Sequence, residues 1–444
     1  MKTKIIALDD DPTGSQTVHS CLLLTKWDVE TLKIALLDDS SPLFFVLTNT
    51  RGMSSMKAVE VTREACQNLR LALADLKQHQ SIEINPILVS RSDSTLRGHY
   101  PVETNVIAQE LGPFDAHFLV PAFFEGGRIT RNATHYLQLG DGQEIPCHET
   151  EFAKDTVFGY STAYLPDYVS EKTKGEISAE QVVCFTLEDV REGCTEKLLQ
   201  LHGNVCCVVD CEVQADLDYF STQLKDIAEH HRRRFLFRSG ASLLTSLAML
   251  PPQPMAATEM SQYVKDGCPG VALVGSHVKK TTTQLEELLK LPETDAIEVD
   301  VTKIRSDEEH VMFEKIMEKI EASHTARKHP IIFTSREELN FHSQEDRLEF
   351  GAEISAFLMK IVQKLPPTTG FLISKGGITS NDVLSQGLRL RTSRVIGQIL
   401  PGCSVVCCPS DHPRFPEMPV VIFPGNVGDK YSLATALSRL ARKQ

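Results

Sequence analysis

Residues 4–14, KIIALDDDPTG, decide how this chain is read. Lys4–Leu8 is a short run without polar alternation, the mark of a strand buried on both faces. It ends at three consecutive aspartates, Asp9, Asp10 and Asp11, followed by the turn residues Pro12, Thr13 and Gly14. In open α/β sheets ligands gather beyond the carboxyl ends of strands, so these carboxylates stand where a site would be. One aspartate suffices to cap a following helix. Three in a row repel one another unless a cation, a donor or a ligand hydroxyl compensates.

Working outward, Phe44–Thr48, Pro86–Ser90 and His117–Pro121 read as further strands. Ser55–Gln78 has the period of a long amphipathic helix, with Val59, Cys66, Leu69, Leu71 and Leu73 among its apolar positions, and Val102–Leu111 is a second helix. Gly126–Thr150, rich in Gly, Thr and His, interrupts the rhythm as a loop or hairpin excursion. Val182–Phe185, Val205–Val209 and Phe235–Phe237 resume it. Residues 251–269 open with prolines and carry no clear apolar period, so they read as a linker. Beyond them Val271–Val274, Ile297–Val301, Pro330–Phe333 and Gly370–Ser374 alternate with helical Thr282–Leu289, Glu308–Glu321 and Glu349–Leu365. Alternation of this kind predicts parallel βαβ units. The expected fold is α/β with two lobes, each a mostly parallel sheet flanked by helices, divided as residues 1–250, a linker at 251–269, and residues 270–444.

The chain has 444 residues, 41% of them hydrophobic, enough for two or three cores. Its formal net charge of −13 argues against nucleic acid as a partner, so an anionic ligand must be met by local arginines and lysines. The apolar stretch before the aspartates is too short for a signal peptide, and no run reaches the length of a membrane span. A cytoplasmic protein with no membrane partner is expected. The twelve cysteines form no C-x-x-C pattern, and Cys206-Cys207 and Cys407-Cys408 sit in apolar, strand-like runs. They read as core thiols of a reducing compartment rather than zinc ligands, and no metal site is expected.

Three clusters of the first half join the aspartates at strand ends. LTNTRGMS (47–54) carries Arg51, SRSDSTLRGHY (90–100) carries Arg91, Ser92, Asp93, Ser94 and Arg97, and PAFFEGGRITRN (121–132) carries Arg128 and Arg131. Arginines bind carboxylates with two parallel hydrogen bonds, and Ser and Asp suit sugar hydroxyls. An anionic small molecule bearing hydroxyls fits this inventory. A surface arginine or an internal Asp–Arg pair would explain each cluster singly.

The second half repeats a different theme. LVGSHVKKTTTQL (273–285), LISKGGITSND (372–382) and VIFPGNVGDKYSL (421–433) each pass from strand through glycine into a helix. Such junctions present backbone N–H groups and the positive helix end to phosphate. Lys375 could neutralise charge there, and Thr379 could cap the helix or touch phosphate. Neither a G-x-x-x-x-G-K-[ST] loop nor G-x-G-x-x-G is present. A helix cap explains any one junction; three in one lobe point to a nucleotide.

Two enzyme classes compete. Asp9-x-Asp11-x-Thr13 has the spacing of a haloacid-dehalogenase-like phosphatase nucleophile loop, with Thr48 or Asn49 as its second motif. That reading lacks the later acidic pair for Mg²⁺ and leaves the second lobe without work. The alternative is a kinase, which employs both lobes. In support of it, the chain resembles the four-carbon acid sugar kinases, a family with an N-terminal substrate domain and a C-terminal nucleotide domain. Asp10-Asp11-Pro12-Thr13-Gly14 resembles its opening D-D-x-T-G, Asp93-Ser94-Thr95-Leu96-Arg97-Gly98 its D-S-T-L-R-G, and Pro121-Ala122-Phe123 with Gly127-Arg128-Ile129-Thr130 its P-A-F…G-R-x-T loop. Glu149-Thr150-Glu151-Phe152 is similar to the continuation E-T-x-F. Gly275-Ser276-His277, Gly376-Gly377-Ile378-Thr379 and Gly425-Asn426-Val427-Gly428 resemble the family's G-S, G-G-[DE]-T and G-N-F-G loops. The departures are Pro12 where many members have Leu, and Ile378 where the family has an acid; they mark a divergent subgroup.

The resemblance implies an acid-sugar site lined by Asp11, Arg51, Arg91, Ser92, Asp93 and Ser94, and loop placement adds Asp10 and Arg128 as substrate-binding candidates. It implies ATP contacts from Ser276, Gly376, Gly377, Ile378, Thr379 and Gly425, and loop placement adds Lys375 and Asn426 as candidates. On loop placement, Asp11 or Asp93 would deprotonate the attacking hydroxyl, and Arg97 or Arg128 would steady the carboxylate or the phosphoryl group. Mg²⁺ is expected with ATP rather than in a protein cage. A metabolite-binding regulator without transfer activity remains a separate reading, which Ile378 keeps open. Which sugar acid and hydroxyl are used, and whether the chain is a monomer or a homodimer, the sequence leaves open.

Overall fold

The structure, a computed structural model, describes residues 2–140, 142–276, 278–336 and 344–441. Its chain forms two units, Met1–Pro252 and Gln253–Gln444, each with a core of its own.

The N-terminal unit contains strands β1 (Lys2–Asp9), β2 (Leu22–Leu24), β3 (Leu43–Leu47), β4 (Ile84–Arg91), β5 (Ala116–Val120), β6 (Arg128–Arg131), β7 (Thr134–Gln138), β8 (Glu144–Pro146), β9 (Val183–Phe185), β10 (Val205–Val209) and β11 (Phe235–Ser239). Eight of these form one parallel sheet in the order β2-β3-β1-β4-β11-β5-β10-β9. Register aligns the strand ends: Asp9 lies opposite Leu47 on one side and Arg91 on the other, and Ser239 opposite Arg91 and Val120. The loops leaving β1, β3, β4, β11 and β5 therefore emerge at one edge. The Gly126–Thr150 excursion is a separate antiparallel sheet, β6-β7-β8.

The helix Ser55–Gln80 shows how the sheet is covered. Ser54 caps it, accepting from the Lys57 N–H, and it buries Ala58, Val61, Thr62, Ala65, Cys66, Leu69, Ala72 and Leu76 at helical spacing. Ala65, Cys66, Leu69, Ala72 and Leu76 of this stripe pack with Ile6, Leu8, Phe44, Val46 and Leu88 of the strands and Ile107 and Leu111 of the helix Val102–Leu111. Leu71 falls off this stripe and points outward, 56% exposed. One buried aliphatic side chain contributes about 1.5–3 kcal/mol, so a stripe of this length fixes the helix on the sheet.

The C-terminal unit contains β12 (Val271–Val274), β13 (Thr294–Val299), β14 (His329–Thr334), β15 (Leu372–Lys375), β16 (Thr392–Leu400), β17 (Cys403–Cys407) and β18 (Pro419–Phe423). Their order is β13-β14-β12-β15-β18-β17-β16, parallel through β18 and antiparallel for the last two pairings. In the central strands Val274 lies opposite Phe333 and Lys375, and Lys375 opposite Phe423. Four consecutive strands thus deliver their loops to one edge. The core behind them joins Ala272, Val274, Ile331, Phe371, Ile373, Val421 and Phe423 to Leu285, Leu288, Leu433 and Leu437 of two helices. The helix after the third glycine junction starts at Ser432, because the Asp429 carboxylate accepts from the Tyr431 N–H and the Ser432 hydroxyl and holds a turn first.

The twelve cysteines are free thiols, nine of them buried. Among the described residues no helix is long and apolar enough to cross a membrane.

Candidate functional site

In the N-terminal unit the three aspartates separate into three environments. Asp9, the last residue of β1, is fully buried, and its Oδ2 has no hydrogen-bond partner among the described residues. Burial pushes its pKa up to about 8, against the pull of Arg91. Gly14 lies directly over it: a β-carbon there would fall 2.0 Å from Asp9 Oδ2. Gly14 thus covers the carboxyl that the phosphatase spacing would use as its nucleophile. Asp10 is also buried and accepts from Arg51 Nε at 3.2 Å and Nη2 at 2.5 Å. The side chain of Asp11 is 21% exposed. Its Oδ1 accepts the Thr13 N–H at 2.8 Å and the Thr13 hydroxyl, and its Oδ2 lies 3.4 Å from Arg51 Nη1.

Arg51 is placed by its backbone. Thr48 and Asn49 donate their N–H groups to the Asp9 carbonyl, Asn49 takes the left-handed conformation, and the Arg51 N–H donates to the Asp10 carbonyl. The β3 loop is thereby stitched to the end of β1.

The β4 loop adds a second carboxylate–arginine pair. Arg97 Nε donates to Asp93 Oδ2 at 2.7 Å, and the Thr95 hydroxyl binds the same oxygen. Burial alone would raise the Asp93 pKa, but Arg51 and Arg97 pull it far below the usual carboxylate range. Gly98, at φ +118°, lets the chain turn beneath this pair: a β-carbon there would meet Arg238 Nη2 at 2.6 Å and Asp10 Oδ2 at 2.9 Å. Arg97 and Arg128 both face the ring of Phe152, at 5.2 and 5.8 Å from its centroid. Arg128 Nη1 donates to the Gly126 carbonyl, and its buried Nε has no hydrogen-bond partner among the described residues. Burial lowers its pKa, opposed by Asp93.

The structure therefore brings Asp10, Asp11, Arg51, Asp93, Arg97 and Arg128 to one sheet edge. Arg91 is different. It is buried, with Nε on the Gly14 carbonyl at 3.2 Å and Nη1 on the Ser92 carbonyl, so it braces the aspartate loop. The Ser92 hydroxyl donates to the Arg97 carbonyl, and the Ser94 carbonyl is held by His135 Nε2. Two neighbours escaped the sequence reading: Arg238, at the end of β11, and Glu103, in the helix Val102–Leu111. Arg238 Nη1 donates to Glu103 at 2.5 Å and to the Ser90 hydroxyl at 2.7 Å. The signal was an arginine inside the apolar run of β11, which needs a buried acceptor.

In the C-terminal unit the three glycine junctions meet at Ser276. Added β-carbons measure the closeness: at Gly275 one would lie 2.4 Å from Thr379 Oγ1, at Gly376 3.2 Å from Ser276 Cβ, and at Gly425 3.6 Å from Ser276 Oγ. Gly376 has φ +119°, a conformation that disfavours side chains. Lys375 is buried beneath these loops, with Nζ donating to the Pro424 carbonyl at 2.6 Å and the Gly425 carbonyl at 3.3 Å. Burial lowers its pKa to about 7. Lys280 Nζ donates to the Asn426 carbonyl at 3.0 Å. Gly377, Ile378 and Thr379 begin a short helix, where Thr379 is buried and Ile378 stands 74% exposed. Asp382 is engaged by Ser355, Asn381 and Gln386. Among the described residues no three His, Cys, Asp or Glu side chains gather as metal ligands. His277 of the Gly275-Ser276-His277 motif lies outside the described residues. Glycine backbone at the ends of adjacent parallel strands, with lysines close by, fits phosphate groups with an associated cation better than a protein-held metal.

Residues 5–247 match the family model of a sugar-binding N-terminal domain, and residues 271–433 that of a nucleotide-binding C-terminal domain. Among characterised relatives, the chain is 22% identical over 367 residues to a D-threonate kinase of Salmonella typhimurium, covering 79% of this chain and 80% of the relative. It is 24% identical over 223 residues to a D-erythronate kinase of Heliobacterium modesticaldum, covering 49% and 47%. Solved structures from Salmonella typhimurium LT2 and Haemophilus influenzae share the fold, at TM-scores of 0.68 and 0.65, each with 18% identity and 98% coverage of this chain. Those structures are covered over 99% and 100% of their length.

Proposed function

The chain belongs to the four-carbon acid sugar kinase family, and on that premise we propose that it is an ATP-dependent kinase phosphorylating a hydroxyl of a small sugar acid or oxo-sugar acid of about four carbons. In this reading the N-terminal unit binds the acid and the C-terminal unit binds ATP. The observation that carries it is the constellation around Arg51: a cation with Asp10 and Asp11 on it and Asp93 within its field, at a sheet edge shared with Arg97 and Arg128. Arginines there meet a carboxylate, while aspartates and serines meet vicinal hydroxyls. The relatives' activities on threonate and erythronate support a four-carbon acid.

The two paired carboxylates take different roles. Asp93, flanked by two guanidinium groups, has too little proton affinity for a base and serves to orient Arg97 and a substrate hydroxyl. Asp11 has the more exposed side chain of the two, 21% against 13%, and is the residue placed to accept the hydroxyl proton. Phosphoryl transfer depends on positioning and charge neutralisation. Ser276, Gly376, Gly377, Ile378, Thr379, Gly425 and Asn426 offer backbone and hydroxyl contacts to the ATP phosphates, and Lys375 sets the shape of their loops. Mg²⁺ arriving with ATP would supply the remaining charge neutralisation.

The test is ADP release with Mg-ATP across four- and five-carbon aldonic and oxo-aldonic acids, paired with phosphate release from the matching phosphoesters without ATP. ADP release with one acid supports the kinase and names its substrate. Phosphate release without nucleotide would make it a phosphatase. Silence throughout, with nucleotide still bound, would make it a binding protein without transfer.

A further inference from the structure

Arg336 follows β14, the strand beside β12, and so stands at the sheet edge where the glycine junctions meet. Its Nη1 donates to the Ser276 carbonyl at 2.5 Å. Its Nε and Nη2 are buried, and neither has a hydrogen-bond partner among the described residues. The guanidinium carbon lies 5.9 Å from the centroid of the Phe333 ring. A guanidinium does not shed its proton in a protein, so these two N–H groups are fixed donors without an acceptor. Buried donors of a cation are normally satisfied.

Its anchor is the hub of the candidate nucleotide loops. The Ser276 hydroxyl is 3.3 Å from Thr281 Oγ1, and both Gly376 and Gly425 pack against the Ser276 side chain. The lysines nearby are already engaged, Lys280 on the Asn426 carbonyl and Lys375 on those of Pro424 and Gly425. Arg336 instead keeps two adjacent donors in the planar fork that matches phosphate oxygens.

We infer that Arg336 is an anion-binding residue of this site, with Nε and Nη2 donating to phosphate oxygens of the nucleotide while Nη1 holds the Ser276 loop in place. This rests on the nucleotide reading of the C-terminal unit, but its chemistry is that of a polyphosphate receptor, which permits separate tests. Nothing in the sequence singled the residue out, because a lone arginine after a strand reads as a surface charge.

The experiment is calorimetric titration of ADP and of inorganic tripolyphosphate into the full chain, native, R336M and R336K, with the melting temperature of each ligand-free variant. R336M is expected to weaken both ligands about 10- to 100-fold, the worth of charge-assisted hydrogen bonds. R336K, which keeps the charge but loses the fork, should fall between. Under turnover, KM for ATP should rise while KM for the sugar acid stays constant. Unchanged ADP and tripolyphosphate affinity in R336M would overturn the inference. So would R336K and R336M both losing melting temperature and affinity together, since that marks a structural clip. Native chain that binds tripolyphosphate through Arg336 but no nucleotide would keep this inference and remove the kinase reading.

Discussion

Arg51 and Asp10 form a two-point ion pair, Nε to Oδ2 at 3.2 Å and Nη2 to Oδ1 at 2.5 Å, although the two residues come from loops after different strands. The Asp10 side chain is 1% exposed and that of Arg51 19%, so water screens little of the interaction. Removing one partner leaves the other charge buried. Arg51→Met is expected to lower unfolding free energy by about 3 kcal/mol, measured in denaturant. Arg51→Lys keeps the charge without the fork and should retain most of the stability while raising KM for the sugar acid about tenfold or more.

The assignment of roles to the paired carboxylates separates in kinetics. Asp11→Asn should lower kcat by about 10²- to 10⁴-fold with a smaller change in KM, as loss of a general base does. Asp93→Asn should act mainly on KM for the acid, because it releases Arg97. The reverse pattern in steady-state kinetics would exchange the roles.

Gly14 and Asp9 can be tested as a pair. Gly14→Ala drives a methyl group into the Asp9 carboxyl, which overpacks a buried site and should cost about 1–3 kcal/mol. Asp9→Ala removes the obstacle. The double variant should therefore be more stable than the sum of the single losses predicts, and a double-mutant cycle in urea measures that coupling.

Buried groups should give stability opposing slopes against pH. Asp9 has a folded pKa of about 8, raised above its ordinary 3.8, so the folded state holds the extra proton and stability is lost as pH rises between these values. His135 and His324 are lowered to about 4 by burial, so the unfolded state holds the extra proton and stability is lost as pH falls from about 6.5 towards 4. Asp9→Asn should remove the loss on raising pH from about 4 to about 8, and His324→Phe should soften the opposing loss on lowering pH from about 6.5 to about 4, in melting temperatures taken across pH.

Lys375 tests the nucleotide loops from beneath. Lys375→Met leaves the Pro424 and Gly425 carbonyls without their buried donor. KM for ATP should rise about tenfold or more while KM for the sugar acid holds, since the change is confined to the C-terminal unit.

Much of the fold can be read from the chain because parallel strands covered on both faces are continuous apolar runs. Val205–Val209 and Val271–Val274 coincide with β10 and β12, and Val102–Leu111 is a helix to the residue. The long helix was legible from its period, although composition alone did not reveal that Leu71 faces out. The arginines and aspartates of the first half were readable as a cluster because they follow strands that turn out to be near neighbours. Their division of labour was not. That Asp9 is sealed, that Arg91 braces backbone, and that Arg238 meets Glu103 all depend on contacts between distant parts of the chain. Arg336 and the burial of Lys375 were hidden for the same reason: a side chain's partners are set by the strand beside it, not by its neighbours in sequence.

The free thiols have a practical consequence. Burial pushes Cys66, Cys147 and Cys206 up to about 12, so almost none of their sulfur is thiolate at neutral pH, and alkylating reagents act on thiolate. A chain rich in cysteine can thus be nearly silent to maleimides. With half-buried Cys184, Cys268 and Cys407 replaced as a precaution, a reporter cysteine at exposed Ile378 would take a fluorophore or spin label selectively. The glycine loops of the C-terminal unit could then be followed spectroscopically in an otherwise native molecule.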